Sequence, residues 1–209
     1  MASEDGDPAA AWIVERGAKA IRDEAAVLES LASSLGDPFA DTVRLLLGCK
    51  GKVVLSGIGK SGRIAEKVAA SMSSLGLPAV FLHSTEALHG DIGMVQPNDV
   101  VFVISNSGTT REVLDIIPTL RAVGVPIISI SRSAQSPLAL ATDVALVVAA
   151  GREADTLNLA PTSSTTGVLA LGDALAIVVS EIKGFTAADF GFRHPAGALG
   201  RKTSEAAAK

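Results

Sequence analysis

Three polar segments carry the residues able to do chemistry: "SGIGKSG" (56–62), "SNSGTT" (105–110) and "GREADTLNLAPTSSTT" (151–166). The first contains both GxGxxG and GKS. A dinucleotide fingerprint also needs a strand before it, a helix after it and an acid at the end of the next strand. The next apolar run, "AVFL", instead enters His83 and Ser84, with Glu86 beyond them. A P-loop needs a glycine five residues before Gly59, where Val54 stands. Both nucleotide readings are weak. What survives is a glycine-rich strand-to-helix turn whose free N–H groups favour an anion, with Lys60 and Ser61 adding a charge and a hydroxyl. A tight turn needing Gly57 and Gly59 for positive φ explains the same residues equally well. "SNSGTT" repeats the arrangement with hydroxyls, Asn106 and Gly108, and Thr162 to Thr166 supply more. Ordinary N-capping accounts for some of that last run. Two such loops without aromatics suit a small phosphorylated polyol better than a nucleotide base.

The elements that position these loops are five short β-branched runs, "KVVLS", "AVFL", "DVVFVIS", "VPIISI" and "DVALVV". Continuous rather than alternating apolar runs indicate strands covered on both faces. The expected fold is therefore a three-layer α/β/α sandwich with a five-stranded parallel sheet and crossover helices. Right-handed crossovers place all strand C-termini, and so all three polar loops, on one edge. Before the sheet come two amphipathic helices. One starts at Asp7-Pro8 and carries Ile21, Ala25, Leu28, Leu31 and Leu35; the other starts at Asp37-Pro38. The division expected is helices over 1–50, one domain over 51–202 and a frayed tail over 203–209.

The whole-chain balance narrows the classes of function. With 209 residues and 48% hydrophobic content, one sizeable core is expected. A net charge of −4 and 3% aromatics leave neither a basic footprint nor stacking platforms for nucleic acid. The acidic start "MASEDGDPAA" lacks a signal-peptide pattern, and the longest apolar run, "GVLALGDALAIVVS", is interrupted by Asp173. No membrane partner and a cytoplasmic location are expected. Cys49, the one cysteine, reads as a small buried hydrophobe.

Several longer stretches resemble the sugar isomerase (SIS) family, and within it the arabinose 5-phosphate isomerases. These are "GKVVLSGIGKSG", "EALHGDIGMVQPNDVV", "ISNSGTTREVL", "LNLAPTSSTTGVLALGDALA" and "GFTAADFGFRHPAGALGRK". The resemblance covers roughly residues 49–202. It implies interconversion of D-ribulose 5-phosphate and D-arabinose 5-phosphate, the latter feeding synthesis of the lipopolysaccharide sugar Kdo. Many members continue into a CBS pair after "GALGRK"; a form lacking that pair, natural or truncated, is expected here. The family's "SHPGG" is here "RHPAG", and Arg63 stands where a histidine usually follows "GKSG".

Carried over by motif, the catalytic candidates are Lys60, Glu112, Glu153 and His194, with His89 in the "HGD" motif. Sugar-phosphate binding falls to Ser56, Gly57, Gly59, Ser61, His89, Ser105, Asn106, Ser107, Thr110, Thr162, Ser163 and Ser164. Aldose–ketose isomerisation moves a proton between C1 and C2 through an enediolate and needs neither a redox cofactor nor a metal. No cofactor is expected, and His83, His89 and Asp91 lack the spacing of a strong zinc motif. Glu153 is the expected base, its pKa tuned by Arg152 and Asp155; a solvated surface carboxylate is the bland reading. Glu112 competes with a capping role, since Thr109-x-x-Glu112 fits a capping box. Lys60 binds phosphate or offsets enediolate charge, or is a helix-start lysine opposing the dipole. His194 opens the ring or relays a proton. His89 binds sugar, caps its turn or reaches a neighbouring subunit's site, while His83 reads as structural. A homodimer or homotetramer with sites near the interfaces is expected, the first helix packing across it. Two alternatives stand: a hexulose-phosphate isomerase, and a non-catalytic sugar-phosphate sensor that would not need Glu153 or His194.

Overall fold

The computed structural model describes residues 9–195. The Asp7-Pro8 start signal, the "GALGRK" motif from Gly197 and the tail lie outside them. All five strands form: β1 (Val53–Gly57), β2 (Ala79–His83), β3 (Val100–Ile104), β4 (Ile127–Ser131) and β5 (Val144–Val147). They make one sheet of order β2-β1-β3-β4-β5, and every pair is parallel. The three inner strands are buried at every position, whereas β2 and β5, at the edges, are only partly covered. Burial on both faces is why β1, β3 and β4 read as unbroken apolar runs.

Side-chain alternation assigns the faces. Leu55, Phe102, Ile104 and Ile128 join one core with Leu46, Met72, Leu171 and Leu175. Those partners come from α2 (Asp37–Gly48), α3 (Gly59–Ser74) and α8 (Ser163–Ile182), and α1 (Ala10–Ser34) packs along α8. Val54, Val101, Val103 and Ile127 face the other core with Ala87, Val113, Leu120 and Leu138. These belong to α4 (Ser84–Leu88), α5 (Arg111–Leu114), α6 (Ile117–Val123) and α7 (Pro137–Leu140).

Two expectations about helices change. The stripe on α1 is rotated: Val27 is its buried residue, while Ile21 is 72% exposed. The rotation follows from what α1 meets, since Thr166 of α8 donates a 2.9 Å hydrogen bond to Glu24 beside Val27. On α2 the N-cap is Gly36 in extended conformation, so Asp37 is the first helical residue rather than the cap. In addition, α8 is long and apolar enough by length and composition to cross a membrane, at mean hydropathy 1.6, despite Asp173. In this fold it packs against α1, α2 and α3. Asp173 is accommodated there because both its oxygens accept from Lys67 of α3 at 2.8 Å.

The orientation of α3 and α8 decides where the site residues go. Gly172 lies against Val68 at mid-length, and beyond the helix ends Gly76 lies against the Phe185 ring. The two helices therefore run parallel, both starting at the sheet's C-terminal edge. At the opposite edge, buried Asp99 ties the entries of β1 and β3 together, accepting from the Lys52 amide at 2.8 Å, the Gln96 amide at 2.9 Å and the Lys52 ammonium at 2.6 Å. Burial pushes the Asp99 carboxyl up, but those donors outweigh it and hold it below the usual carboxylate range.

Gly172→Ala tests the helix contact. Alanine favours the helix by about 1 kcal/mol, but its methyl would sit 2.5 Å from Val68 Cγ2. Overpacking of this kind costs about 1–3 kcal/mol, so the variant is expected to melt at lower temperature. A raised Tm would show that the helices separate freely.

Candidate active site at the C-terminal sheet edge

The strand order reverses between β1 and β3. The chain leaves β1 for β2 on one side and β3 for β4 on the other, so the loops after Gly57 and Ile104 diverge from paired strand ends, the place where sheets of this kind bind ligands.

In the first loop the glycines are required sterically. A Cβ on Gly57 would meet the Ile104 carbonyl and the Gly62 amide, and Gly59 has φ +57°. Only Gly59 takes the positive φ expected of both glycines; Gly57 is needed for close backbone approach instead, and the turn also opens the anion-favouring end of α3. Among the described residues no side chain caps that helix, and no acid lies in its first turn. Lys60 is exposed and Ser61 half-buried there. Ser56 differs from its expected role: it is fully buried in β1, with its hydroxyl 2.9 Å from that of Ser84. It fastens β1 to α4, because alternation turns its side chain into the interior.

The second loop holds itself through hydroxyls. Ser105 Oγ accepts from the Gly108 amide at 3.1 Å and lies 2.8 Å from Thr110 Oγ1, and Ser107 Oγ accepts from the Thr109 amide and hydroxyl. Its backbone is tied to neighbouring segments by Arg132 N to Asn106 O and Leu138 N to Gly108 O, both 3.0 Å. Gly108, at φ +66°, abuts Ser136. The capping box expected at Thr109 does not form: α5 begins at Arg111 with Thr110 as N-cap. The Thr109 hydroxyl instead donates to Ser107 Oγ at 3.0 Å. Glu112 is exposed and makes no hydrogen bond or ion pair among the described residues.

In the third loop the hydroxyl N-cap expected of the 162–166 run does not form: Thr162 is the N-cap of α8 without a side-chain cap bond, and Glu153 takes that place. Glu153 Oε2 accepts from the Thr162 amide at 2.8 Å, the Thr162 hydroxyl at 3.2 Å and the Ser164 amide at 3.1 Å, while Oε1 accepts from the Ser164 hydroxyl. Thr162 is the N-cap of α8, so an ionised carboxylate sits on the positive end of a 20-residue helix. Burial pushes this carboxyl up, but the Ser164 and Thr162 donors together hold it below the usual carboxylate range. The tuning thus comes from those donors rather than from Arg152 and Asp155. Oε2 is saturated, whereas Oε1 keeps an open lone pair. Ser163, beside them, is fully buried with no partner for its hydroxyl among the described residues.

A cavity of about 400 Å³ joins the second and third loops, lined by Asn106, Arg132, Arg152, Glu153, Asn158 and Pro161 among others. Arg132 was not singled out from the sequence. Its signal was its position directly after β4 on the same edge as the other loops. His83 ends β2 beside Gly57, and its buried Nδ1 has no partner among the described residues. His89 is exposed at the end of α4.

His194 does not converge with the rest. It follows α9 (Ala187–Arg193), which begins past the far end of α8, about 30 Å along that helix from Glu153. Its ring stacks on Phe190 with centroids 4.0 Å apart, and Nδ1 lies 2.9 Å from the Phe190 carbonyl. Within one protomer, the edge gathers Lys60, Ser61, Ser105 to Thr110, Glu112, Glu153, Thr162 and Ser164, and leaves His194 at the opposite edge.

Glu153 makes a stability prediction with a definite sign. A carboxyl whose folded pKa is depressed adds stability above the unfolded value, about 4.3, and loses it as pH falls through the folded value. Glu153→Gln is expected to cost about 2 kcal/mol at pH 7, and the gap to wild type should close below about pH 4. Thermal melts across pH 3 to 8 check this; a pH-independent gap would mean that the lost interaction is not the ionised cap.

Comparison with known proteins agrees with this architecture. The family model described as SIS domain matches residues 46–178. Arabinose 5-phosphate isomerase KdsD of Pseudomonas aeruginosa is 50% identical over 175 residues, 84% of this chain and 54% of that protein. KdsD of Escherichia coli K12 is 47% identical over 188 residues, 90% of this chain and 57% of that protein. The chain thus spans about half the length of these relatives. Among solved structures, E. coli CFT073 c3406 in complex with arabinose 5-phosphate superposes with TM-score 0.88 at 44% identity, covering 90% of this chain and all of that one. With its parallel sheet, reversed strand order and hydroxyl-rich edge loops, the chain belongs to the SIS domain family.

Proposed function

We propose that the chain is an aldose–ketose isomerase interconverting D-arabinose 5-phosphate and D-ribulose 5-phosphate through an enediolate. The observation that carries this reading is an ionised glutamate, locked in place, lining a cavity shared with the hydroxyl-rich loop after β3. The nature of the sugar rests on the high identity to the KdsD isomerases. The phosphate is held by the 105–110 loop and the uncapped start of α3, whose dipole and Lys60 both call for an anion. Glu153 takes the proton on Oε1, since Oε2 has no lone pair to give. Its low basicity is offset if the substrate displaces or competes for the Ser164 hydroxyl, and Lys60 or Arg132 stabilises the enediolate oxygen.

A second reading rests on Glu112, which is exposed and whose carboxylate makes no hydrogen bond or ion pair among the described residues. In D2O, arabinose 5-phosphate should convert with deuterium at C1 of the ketose and C2 of the aldose, followed by NMR in the presence of chelator. Glu153→Gln should lower kcat by about 10²- to 10⁴-fold, and Glu112→Gln by much less. The reverse ranking transfers the base to Glu112. Binding without exchange by the wild type supports the sensor instead, and faster turnover of a hexulose 6-phosphate supports the six-carbon alternative.

Placing His194 at the site requires a second copy. The first turns of α1 expose Trp12, Ile13 and Val14 in succession, a surface that another protomer of a homo-oligomer would cover. We assign His194 to a neighbouring protomer's crevice on that basis, and the cytoplasm as the place where its phosphorylated substrate is retained. Mixing inactive Glu153→Gln with inactive His194→Ala should restore about a quarter of wild-type activity through one intact site per mixed dimer. A monomeric mass by light scattering, or no restoration, removes the trans assignment.

A further inference from the structure

The loop from 153 to 162 is held by its own polar groups. The Glu153 amide donates to Asn158 Oδ1 at 2.7 Å, and the Ala154 amide to Thr162 Oγ1 at 2.9 Å. Asp155 then gathers three backbone amides on one carboxylate: Leu157 on Oδ2 at 3.1 Å, Leu159 on Oδ1 at 3.0 Å and Ala160 on Oδ1 at 3.1 Å. Asn158 is the one non-glycine among the described residues with positive φ, at 56°, and its own amide donates to the Asp155 carbonyl at 3.2 Å.

Apolar packing does not explain this shape. Leu157 and Leu159 are 74% and 75% exposed, so the loop has no hydrophobic anchor of its own. Its conformation rests on the Asp155 carboxylate and the Asn158 amide. Yet this loop supplies one wall of the cavity, through Arg152, Glu153, Asn158 and Pro161, and delivers Thr162 to the Glu153 carboxylate. A base displaced by about 1 Å can lose about 100-fold in rate, so a loop frozen before substrate arrives has a direct kinetic use.

We infer that Asp155 is a positioning residue for the isomerisation: by collecting the amides of Leu157, Leu159 and Ala160 it sets the loop that aims Glu153, without touching substrate. This rests on the isomerase reading above. Asn158 is the second strut, joining the bend of the loop to the Glu153 backbone. The carboxylate serves three amides through two oxygens; an asparagine keeps the Oδ1 contacts to Leu159 and Ala160 and loses the Oδ2 contacts to Leu157 and, at 3.3 Å, to Leu159.

The test compares Asp155→Ala, Asp155→Asn and Asn158→Gly by steady-state kinetics on arabinose 5-phosphate and by amide hydrogen exchange. Asn158→Gly preserves the left-handed backbone and removes only the side-chain acceptor, so it stands in should Asp155→Ala fail to fold. Asp155→Ala is expected to lower kcat about 30-fold with KM changed less than about threefold, Asp155→Asn to recover much of that loss, and Asn158→Gly to lower kcat about tenfold. Exchange protection at Leu157, Leu159 and Ala160 should fall in Asp155→Ala while that of the sheet is unchanged. Unchanged kcat in a variant whose loop amides have lost protection overturns the positioning role, and unchanged protection overturns the frame itself. A wild type inactive on every sugar phosphate overturns the isomerase reading instead, while the exchange result still decides the frame.

Discussion

Everything functional in this molecule depends on the reversal of strand order at β1 and β3. Parallel strands need crossovers, and each crossover must lie on a sheet face, so the chain can leave two adjacent strands in opposite directions only where the order turns back. The strand ends Gly57 and Ile104 are in register, but their loops part above them. The place for a ligand results from topology alone, before any side chain is considered. Its chemistry follows from which loops border it.

The same geometry brings the starts of α3 and α8 to one edge, because both helices run parallel on one face of the sheet. Two positive helix ends close together are costly unless something negative answers them. The fold answers one internally, with Glu153 on α8, while the other, which carries Lys60, has no acid in its first turn. A carboxylate thus settles one helix end and faces the cavity at once. In the isomerase reading proposed above, its stabilising hydrogen bonds and its use as a base act against each other, and Oε1, with a single donor, is where that conflict is least.

Legibility in the sequence followed the range of the interaction. The three inner strands were readable because burial on both faces imposes a local run of apolar residues, and the partly covered edge strands β2 and β5 because they too are short β-branched apolar runs. The polar loops were readable because each directly follows a strand. Capping was misassigned for the same reason. Thr109 and Glu112 sit at the local spacing of a capping box, but the chain turns helical only at Arg111, so Thr110 rather than Thr109 takes the N-cap position. The cap that does form links Glu153 to Thr162 and Ser164, nine and eleven residues away, through an irregular loop no short-range rule describes. Ser56 was drawn into the site by its neighbours in the chain, although strand alternation turns it into the interior.

By itself, the sequence determined the number of strands, the parallel sheet and the three loops at its edge, since periodicity and turn chemistry are properties of neighbouring residues. Tertiary structure alone decided the rest. It buried Ser56, made Glu153 a depressed-pKa helix cap, brought Arg132 to the cavity wall and left His194 at the far edge of its own protomer. Those outcomes depend on the parallel run of α3 and α8 and on contacts between segments distant in the chain. Neither is encoded in local spacing.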